Sequence, residues 1–168
     1  MLDNLDIGSK KVIIVGSSRS NGNTSKIIDK ISTKINADVI DLRDYSISYY
    51  DYESKNSNDD FLPLARTITE RYDTLIFATP VYWYSMSGIM KVFFDRLTDL
   101  IRIEKETGRK LRGKKMFVIT NSHDDELEFN FYIPFQKSAE YLGMKYLGDK
   151  HFNADKINEI NKIELTSI

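Results

Sequence analysis

The sequence predicts an α/β fold: a doubly wound parallel sheet of five strands with helices on both faces, in one domain over residues 1–168. Three observations predict it. Short apolar, often β-branched runs alternate with segments whose apolar residues recur at helical spacing, the pattern of successive βαβ units. The first such run leads at once into a turn-rich loop and an amphipathic helix. The residues with chemical potential gather just after the first, third and fourth runs, where open α/β sheets hold their ligands.

Lys11-Val12-Ile13-Ile14-Val15 reads as a strand buried on both faces. Gly16-Ser17-Ser18-Arg19-Ser20-Asn21-Gly22-Asn23-Thr24 is dense in turn formers. Beyond it Ile27, Ile28, Ile31 and Ile35 fall on one helical face and Lys26, Lys30 and Lys34 on another, with Asn23 or Thr24 as expected N-cap. A short second strand is expected at 39–42 and a Tyr-, Ser- and Asp-rich loop at 43–60. A helix is expected from Phe61 to Arg71, and a third strand over 74–79, stopped by Pro80. From Gly88, Ile89, Phe93, Leu97 and Leu100 mark a helix, and Met90 and Phe94 give it a second apolar side that a symmetric dimer contact would explain. Residues 102–115 carry Arg102, Lys105, Arg109, Lys110, Arg112, Lys114 and Lys115 against Glu104 and Glu106, and read as a solvated connection. A fourth strand at 116–119, a helix at 132–142, a fifth strand at 144–147 and a helix at 155–165 complete the pattern, without repeats or low-complexity tracts.

A chain of 168 residues buries roughly 70% of its unfolded surface and needs no staples to build a core. Its 24 Lys and Arg against 25 Asp and Glu leave a net charge of −1, which lacks the basic excess of a nucleic-acid binder. With no cysteine there is no disulfide, thiolate metal site, cysteine-ligated cluster or cysteine nucleophile. No apolar stretch approaches a membrane span. Asp3 and Asp6 stand where a signal peptide needs basic residues, so a cytoplasmic protein is expected.

The first loop lacks both the Gly-Lys-Ser/Thr of a P-loop and a Gly-x-Gly-x-x-Gly fingerprint. It offers instead small hydroxyl and amide groups feeding a helix N-terminus, an arrangement suited to a phosphate. The plainer reading is a well-capped polar turn. The second loop, Pro80-Val81-Tyr82-Trp83-Tyr84-Ser85-Met86-Ser87-Gly88, sets three aromatics in succession at a strand end, where they can wall a flat ligand or pack in a core or interface. Ser85 has Trp83 and Ser87 where a nucleophile elbow needs glycines, which excludes that hydrolase geometry. In the third loop His123 stands beside Asp124, Asp125 and Glu126. One histidine beside adjacent carboxylates lacks metal-ligand spacing, so a hydrogen-bonding rim is expected there. His151, expected beyond the last strand, receives no role. An anion pocket at the first loop and an aromatic wall at the second suit a phosphorylated flat ring such as flavin mononucleotide (FMN).

The run from Gly16 through Thr24, Ser25 and Lys26 resembles the phosphate loop of the flavodoxin-like NAD(P)H-dependent FMN reductases. Thr79-Pro80-Val81-Tyr82-Trp83-Tyr84-Ser85-Met86-Ser87-Gly88-Ile89-Met90-Lys91-Val92-Phe93-Phe94-Asp95-Arg96 is similar to that family's isoalloxazine loop and following helix. The likeness spans residues 10–150 and implies a flavodoxin-like strand order, 2-1-3-4-5. It implies that Ser17, Arg19, Asn23 and Thr24 hold the FMN phosphate and that Pro80, Val81, Tyr82 and Trp83 meet the ring, mostly through the backbone. Asn121, Ser122 and His123 are the third-loop candidates, although Asn121-Ser122-His123-Asp124 lacks a glycine often found there. The related iron–sulfur branch carries cluster cysteines where this chain has Ile47-Ser48-Tyr49-Tyr50-Asp51-Tyr52-Glu53.

The activity implied is an FMN oxidoreductase, with hydride passing from NAD(P)H to flavin N5 and on to a quinone, a nitro or azo compound, free flavin or oxygen. No side chain is required as acid or base, and a homodimer acting on a small-molecule acceptor, without nucleic acid or membrane, is expected. Two rivals share the fold: a flavodoxin-type electron carrier, which is typically far more acidic, and a non-catalytic binding protein. Acidic residues required by a response regulator are absent, since Gly16-Ser17 and Thr79-Pro80 stand in those places. The choice of NADPH or NADH stays open, as does whether segment 45–52 covers the flavin or a partner subunit.

Overall fold

The computed structural model describes residues 10–162. Asp3, Asp6 and the end of the last expected helix lie outside the described residues. The elements are β1 (Lys11–Val15), α1 (Asn23–Ile35), β2 (Ala37–Asp41), α2 (Phe61–Arg71), β3 (Thr74–Tyr82), β4 (Ser85–Met86), α3 (Gly88–Arg102), α4 (Lys105–Arg109), β5 (Lys115–Ser122), α5 (Ile133–Leu142) and β6 (Lys145–Asn153). The parallel strands lie in the order β2-β1-β3-β5-β6, which is the expected 2-1-3-4-5 once the two-residue β4 on the edge of β3 is set aside.

Period-two alternation sorts the strands' side chains between two cores. Ile13, Val15, Ile76, Ala78, Phe117 and Ile119 face α1, with Ile27, Ile28 and Ile31 closing that side. Val12, Ile14, Leu75, Phe77, Met116 and Val118 face the opposite layer of α2, α3 and α5. There Phe61 packs edge-on against Phe93 at 5.4 Å, Phe77 against Phe94 at 4.9 Å, and Phe94 against Phe135 of α5 at 5.1 Å. The second apolar side of α3 is therefore covered within the chain, because α3 sits between two helices as well as on the sheet.

Several boundaries differ from the sequence expectation. Gly22, not Asn23 or Thr24, is the N-cap of α1, and no side chain caps that helix. Pro80 does not end β3. Past Ala78 the neighbour β1 has ended and β4 pairs only from Val81 on, so at Pro80 the side away from β5 is open and a missing N–H costs little there. The second strand begins at Ala37, two residues before the expected start. The last strand runs far beyond 147: a bulge between Met116 and Phe117 leaves Leu147 unpaired, Gly148 takes φ +127°, and pairing resumes to Asn153. The final helix is a 3-10 stretch, Ala154–Lys162, broken at Lys156, within the described residues. The basic connection holds α4 and is stitched to α2 by Lys110–Glu70 and Arg66–Glu104.

The loop at 43–60 carries no helix or strand beyond a 3-10 turn at Leu42–Asp44. It is pinned by Arg96 of α3, whose guanidinium is 1% exposed. Arg96 donates to Asp99 at 2.7 Å, to Asp59 at 3.1 Å and to the Ser48 carbonyl at 3.0 Å, and lies 4.8 Å from the Phe61 ring. Burial raises the Asp59 pKa, but Arg96 and the N–H groups of Ser48 and Phe61 outweigh it and hold the carboxyl below its ordinary value.

Candidate functional site

At the carboxyl end of the sheet the loops after β1, β3 and β5 meet and bind one another. Gly16 ends β1 against α3, where an added Cβ would lie 2.8 Å from the Met90 Cβ, so only glycine lets the strand approach so closely. Ser87 fastens the same junction. Its Oγ donates to the Gly16 carbonyl at 2.6 Å and accepts from the Met90 N–H at 3.1 Å, while its own N–H donates to Thr79 Oγ1 at 2.9 Å. One serine thus caps α3 and ties it to two strand ends. The first loop is joined to the second by Ser18 and the Tyr82 hydroxyl at 3.1 Å, and to the third by Thr24 Oγ1 donating to Asn121 Oδ1 at 2.8 Å.

The start of α1 is left open. Gly22 has no side chain to offer and the first turn holds no acidic residue. The first N–H to close on a backbone carbonyl is that of Lys26, onto Gly22 at 3.2 Å, so the N–H groups of Asn23, Thr24 and Ser25 belong to the unpaired first turn. Ser17 is buried and receives the Arg19 N–H at 3.5 Å, and the Arg19 guanidinium is exposed with no carboxylate partner among the described residues. Backbone donors, the positive helix end and an unpaired arginine converge here, a setting suited to a dianionic phosphate.

The second loop is a tight hairpin that the sequence did not announce. Val81 pairs with Met86 and Tyr82 with Ser85, and the two turn residues, Trp83 and Tyr84, both take positive φ, 49° and 61°. That is the two-residue type I′ geometry, which favours Asn-Gly and strains bulky side chains. The three aromatics neither pack in the core nor bury one another: Tyr82 is 40%, Trp83 94% and Tyr84 89% exposed. Between this hairpin and residues 122–131 opens a cleft of ≈690 Å³, lined by Val81, Trp83, Tyr84, Ser122, Leu127 and Phe131 among others.

The third loop differs from its expected shape. Asn121 and Ser122 end β5, and the Asn121 side chain is buried with its oxygen occupied by Thr24. His123 is exposed, its Nδ1 3.1 Å from Asp155 Oδ1. The residue that organises this loop is His151, which the lengthened β6 brings opposite Thr120. Its Nε2 lies 3.1 Å from the Asp124 carbonyl, which can only accept, so Nε2 carries the proton and Nδ1 accepts from Thr120 Oγ1 at 2.8 Å. Thr120 Oγ1 in turn accepts from the Tyr132 hydroxyl at 3.0 Å. Burial pushes the Tyr132 pKa up to about 12, so that phenol is a standing donor. Burial pulls His151 below its ordinary value against the Asp124 carbonyl and the charges of Asp124 and Asp125, which favours the neutral ring this chain requires. Its place in a polar edge strand beyond a bulge hid it from periodicity. Among the described residues no group of three or more His, Asp or Glu is placed to hold a metal ion, and no helix is long and apolar enough to cross a membrane.

An open parallel sheet with an uncapped helix start and an aromatic cleft at its carboxyl end defines a flavodoxin-like α/β protein. The comparison with known proteins is more specific. The family described as NADPH-dependent FMN reductase matches residues 9–159, and the chain belongs to that family. It is an enzyme, an oxidoreductase of an FMN-binding family. A relative from Bacillus subtilis, YwqN, named an NAD(P)H-dependent FMN-containing oxidoreductase, is 29% identical over 149 residues, 83% of this chain and 82% of the relative. In fold the chain resembles the Trp repressor binding protein of Bacillus subtilis, with TM-score 0.71 and 22% identity over 95% of this chain and all (100%) of the other. It also resembles an FMN-dependent NADH-azoreductase from Bacillus anthracis, a structure in complex with FMN, with TM-score 0.64 and 13% identity over 91% and 96% of the two chains.

Proposed function

We propose that this chain, a single domain over residues 1–168, oxidises NAD(P)H and passes the electrons to a small acceptor through FMN held at the carboxyl end of its sheet. The observation that carries this reading is the pairing of an uncapped α1 start, free of acidic residues, with an exposed, strained aromatic hairpin beside a cleft of ≈690 Å³. The donor set fits the cofactor: an anion end and a flat-ring end lie on neighbouring loops. Ser17, Arg19 and the first-turn N–H groups of Asn23 and Thr24 would hold the phosphate. Pro80, Val81, Tyr82 and Trp83 would meet the ring, with Asn121, Ser122 and His123 at its far edge.

FMN held there would supply acceptance of a hydride from NAD(P)H and delivery of electrons to a quinone, a nitro or azo compound, free flavin or oxygen. The protein's part is preorganisation. Ser87 holds the first and second loops in one geometry, the Thr24–Asn121 bond sets the spacing from first loop to third, and the neutral His151 fixes the turn at 122–124. No side chain is asked to transfer a proton. A homodimer is part of the proposal. Its support is the apolar groove of ≈290 Å³ between α3 and α5, lined by Leu97, Ile101 and Tyr141. A cytoplasmic setting follows from the nicotinamide donor.

The experiment is anaerobic addition of NADPH, and separately NADH, to the FMN-loaded protein with the flavin's visible absorbance followed in time. Rapid bleaching by one or both is expected and ranks the donors. A bound flavin that stays oxidised with both defeats the reductase reading and leaves the electron carrier.

A further inference from the structure

The cleft beside the hairpin has apolar walls and a rim of one charge sign. Trp83, Tyr84, Val81, Leu127 and Phe131 supply flat and aliphatic surface. The charged groups that line it are Asp124, Glu126 and Glu128, with His123 as the single basic side chain. His123 is matched by Asp155, and neighbouring Asp125 is paired with Lys156 outside the lining. Among the described residues the Asp124 carboxylate takes only a neutral hydroxyl, that of Ser122 at 3.2 Å. Glu126 and Glu128 have no ion-pair partner among the described residues. The unpaired positive charge of the site sits elsewhere, on Arg19 at the start of α1. The functional surface is thus polar end to end: positive at the anion pocket, negative around the aromatic cleft.

We infer that this cleft admits as electron acceptor a flat aromatic molecule that is neutral or cationic, and disfavours one that carries an anionic substituent near the ring. The inference rests on the proposed function: with the FMN ring against Val81, Trp83, Ser122 and His123, the acceptor would reach it through the rest of the same cleft, past Glu126 and Glu128. The reactions balance for both admitted kinds. A neutral quinone takes the two electrons and proton of one hydride plus one proton from water, giving the quinol and NAD(P)⁺. A cationic azine takes the hydride alone and leaves as the neutral dihydro form with NAD(P)⁺. Both partners arrive without bringing negative charge into the rim, whereas a sulfonated quinone or azo compound brings a fixed anion beside three carboxylates. An aromatic face also favours a cation over an anion, since the ring's quadrupole is negative above its plane.

The test titrates the oxidised FMN-loaded protein with one anthraquinone scaffold carrying, at the same position, a trimethylammoniomethyl, a hydroxymethyl or a sulfonate group. Isothermal titration calorimetry gives each dissociation constant. The cationic ligand is expected to bind about tenfold or more tightly than the sulfonate at low ionic strength, with the neutral one between them. The gap should close severalfold at about 1 M salt, where screening acts within about 3 Å. It should also narrow in the double variant Glu126→Gln, Glu128→Gln and, by smaller steps, in each single variant. Sulfonate binding equal to or tighter than that of the cation overturns the inference, as does a gap that neither salt nor the glutamines change. The readout is binding, so its failure is distinguishable from that of the proposed function: a flavin inert to both nicotinamides ends the oxidoreductase reading while leaving these ratios as measured.

Discussion

Two regions of the molecule hold clusters of charge, and they are built in opposite ways. Around Arg96 every charge is matched: two carboxylates, two backbone carbonyls and an aromatic face surround one guanidinium that is 1% exposed. Around the cleft, Glu126 and Glu128 are exposed without counter-ions among the described residues, and the two turn residues are strained and open to water. The first cluster fastens the 48–59 loop to α3, and its charges are spent on one another. The second leaves charge, aromatic surface and backbone strain unused by the fold, which is what a ligand-receiving surface requires. Buried charge that is fully paired speaks of architecture; exposed charge left unpaired beside a cavity speaks of recognition.

The contrast can be broken most forcefully at Arg96. Arg96→Ala leaves Asp99 buried and Asp59 partly buried without their cation and is expected to cost about 3–5 kcal/mol in denaturant unfolding. A loss below about 1 kcal/mol would mean the loop at 48–59 is held by something else. Next comes the junction shared by the site loops. Gly16→Ala drives a methyl to 2.8 Å from the Met90 Cβ and should cost about 1–3 kcal/mol, with weakened FMN binding because β1 and α3 must separate. An unchanged melting temperature and FMN affinity would show the close approach to be unimportant.

The hairpin sharpens the contrast from the other side. Replacing Trp83-Tyr84 by Asn-Gly suits both positive φ values and should stabilise the fold by about 1 kcal/mol while loosening the grip on flat ligands. Stability and binding falling together would instead make the aromatics structural.

A smaller effect belongs to His151. Its pKa is lowered on folding, so below its unfolded value of about 6.5 the unfolded chain takes a proton that the folded chain resists. Its contribution is therefore whole above that pH and is lost as pH falls toward the lowered folded value. The melting temperature of the native protein should drop between pH 7.5 and 5.5 more steeply than that of His151→Gln, and parallel profiles would remove the role assigned to the ring.

Much of the frame could be read from the chain, because burial on both faces leaves continuous apolar strands and one-sided helices leave their stripes. β1, α1, α2 and α3 stand where those patterns predict. The cleft was harder to read. Trp83-Tyr84 carries none of the Asn-Gly chemistry that signals a two-residue hairpin, since the turn accepts strain in exchange for aromatic surface. His151 lies in a strand whose alternation is erased by a bulge at Leu147 and by polar residues on an edge. The second apolar side of α3 suggested a partner subunit, yet Phe94 is satisfied by Phe135 of α5, a contact far apart in sequence. Leu127 and Glu128 lie in the loop expected at 121–128, whereas Phe131 joins the site only because the chain turns back past β5, which no local pattern records.

One end of this site is built for a phosphate and the adjoining end for a flat ring. Comparing FMN with riboflavin, which lacks only the phosphate, tests this most directly, by titrating each against the cofactor-free protein and following flavin fluorescence. The uncapped start of α1, Arg19 and the first-turn N–H groups predict that FMN binds about a hundredfold more tightly or better, roughly 2.7 kcal/mol. Equal affinities would contradict the account, because the ring alone would then be doing the binding and the α1 start would be an ordinary helix end.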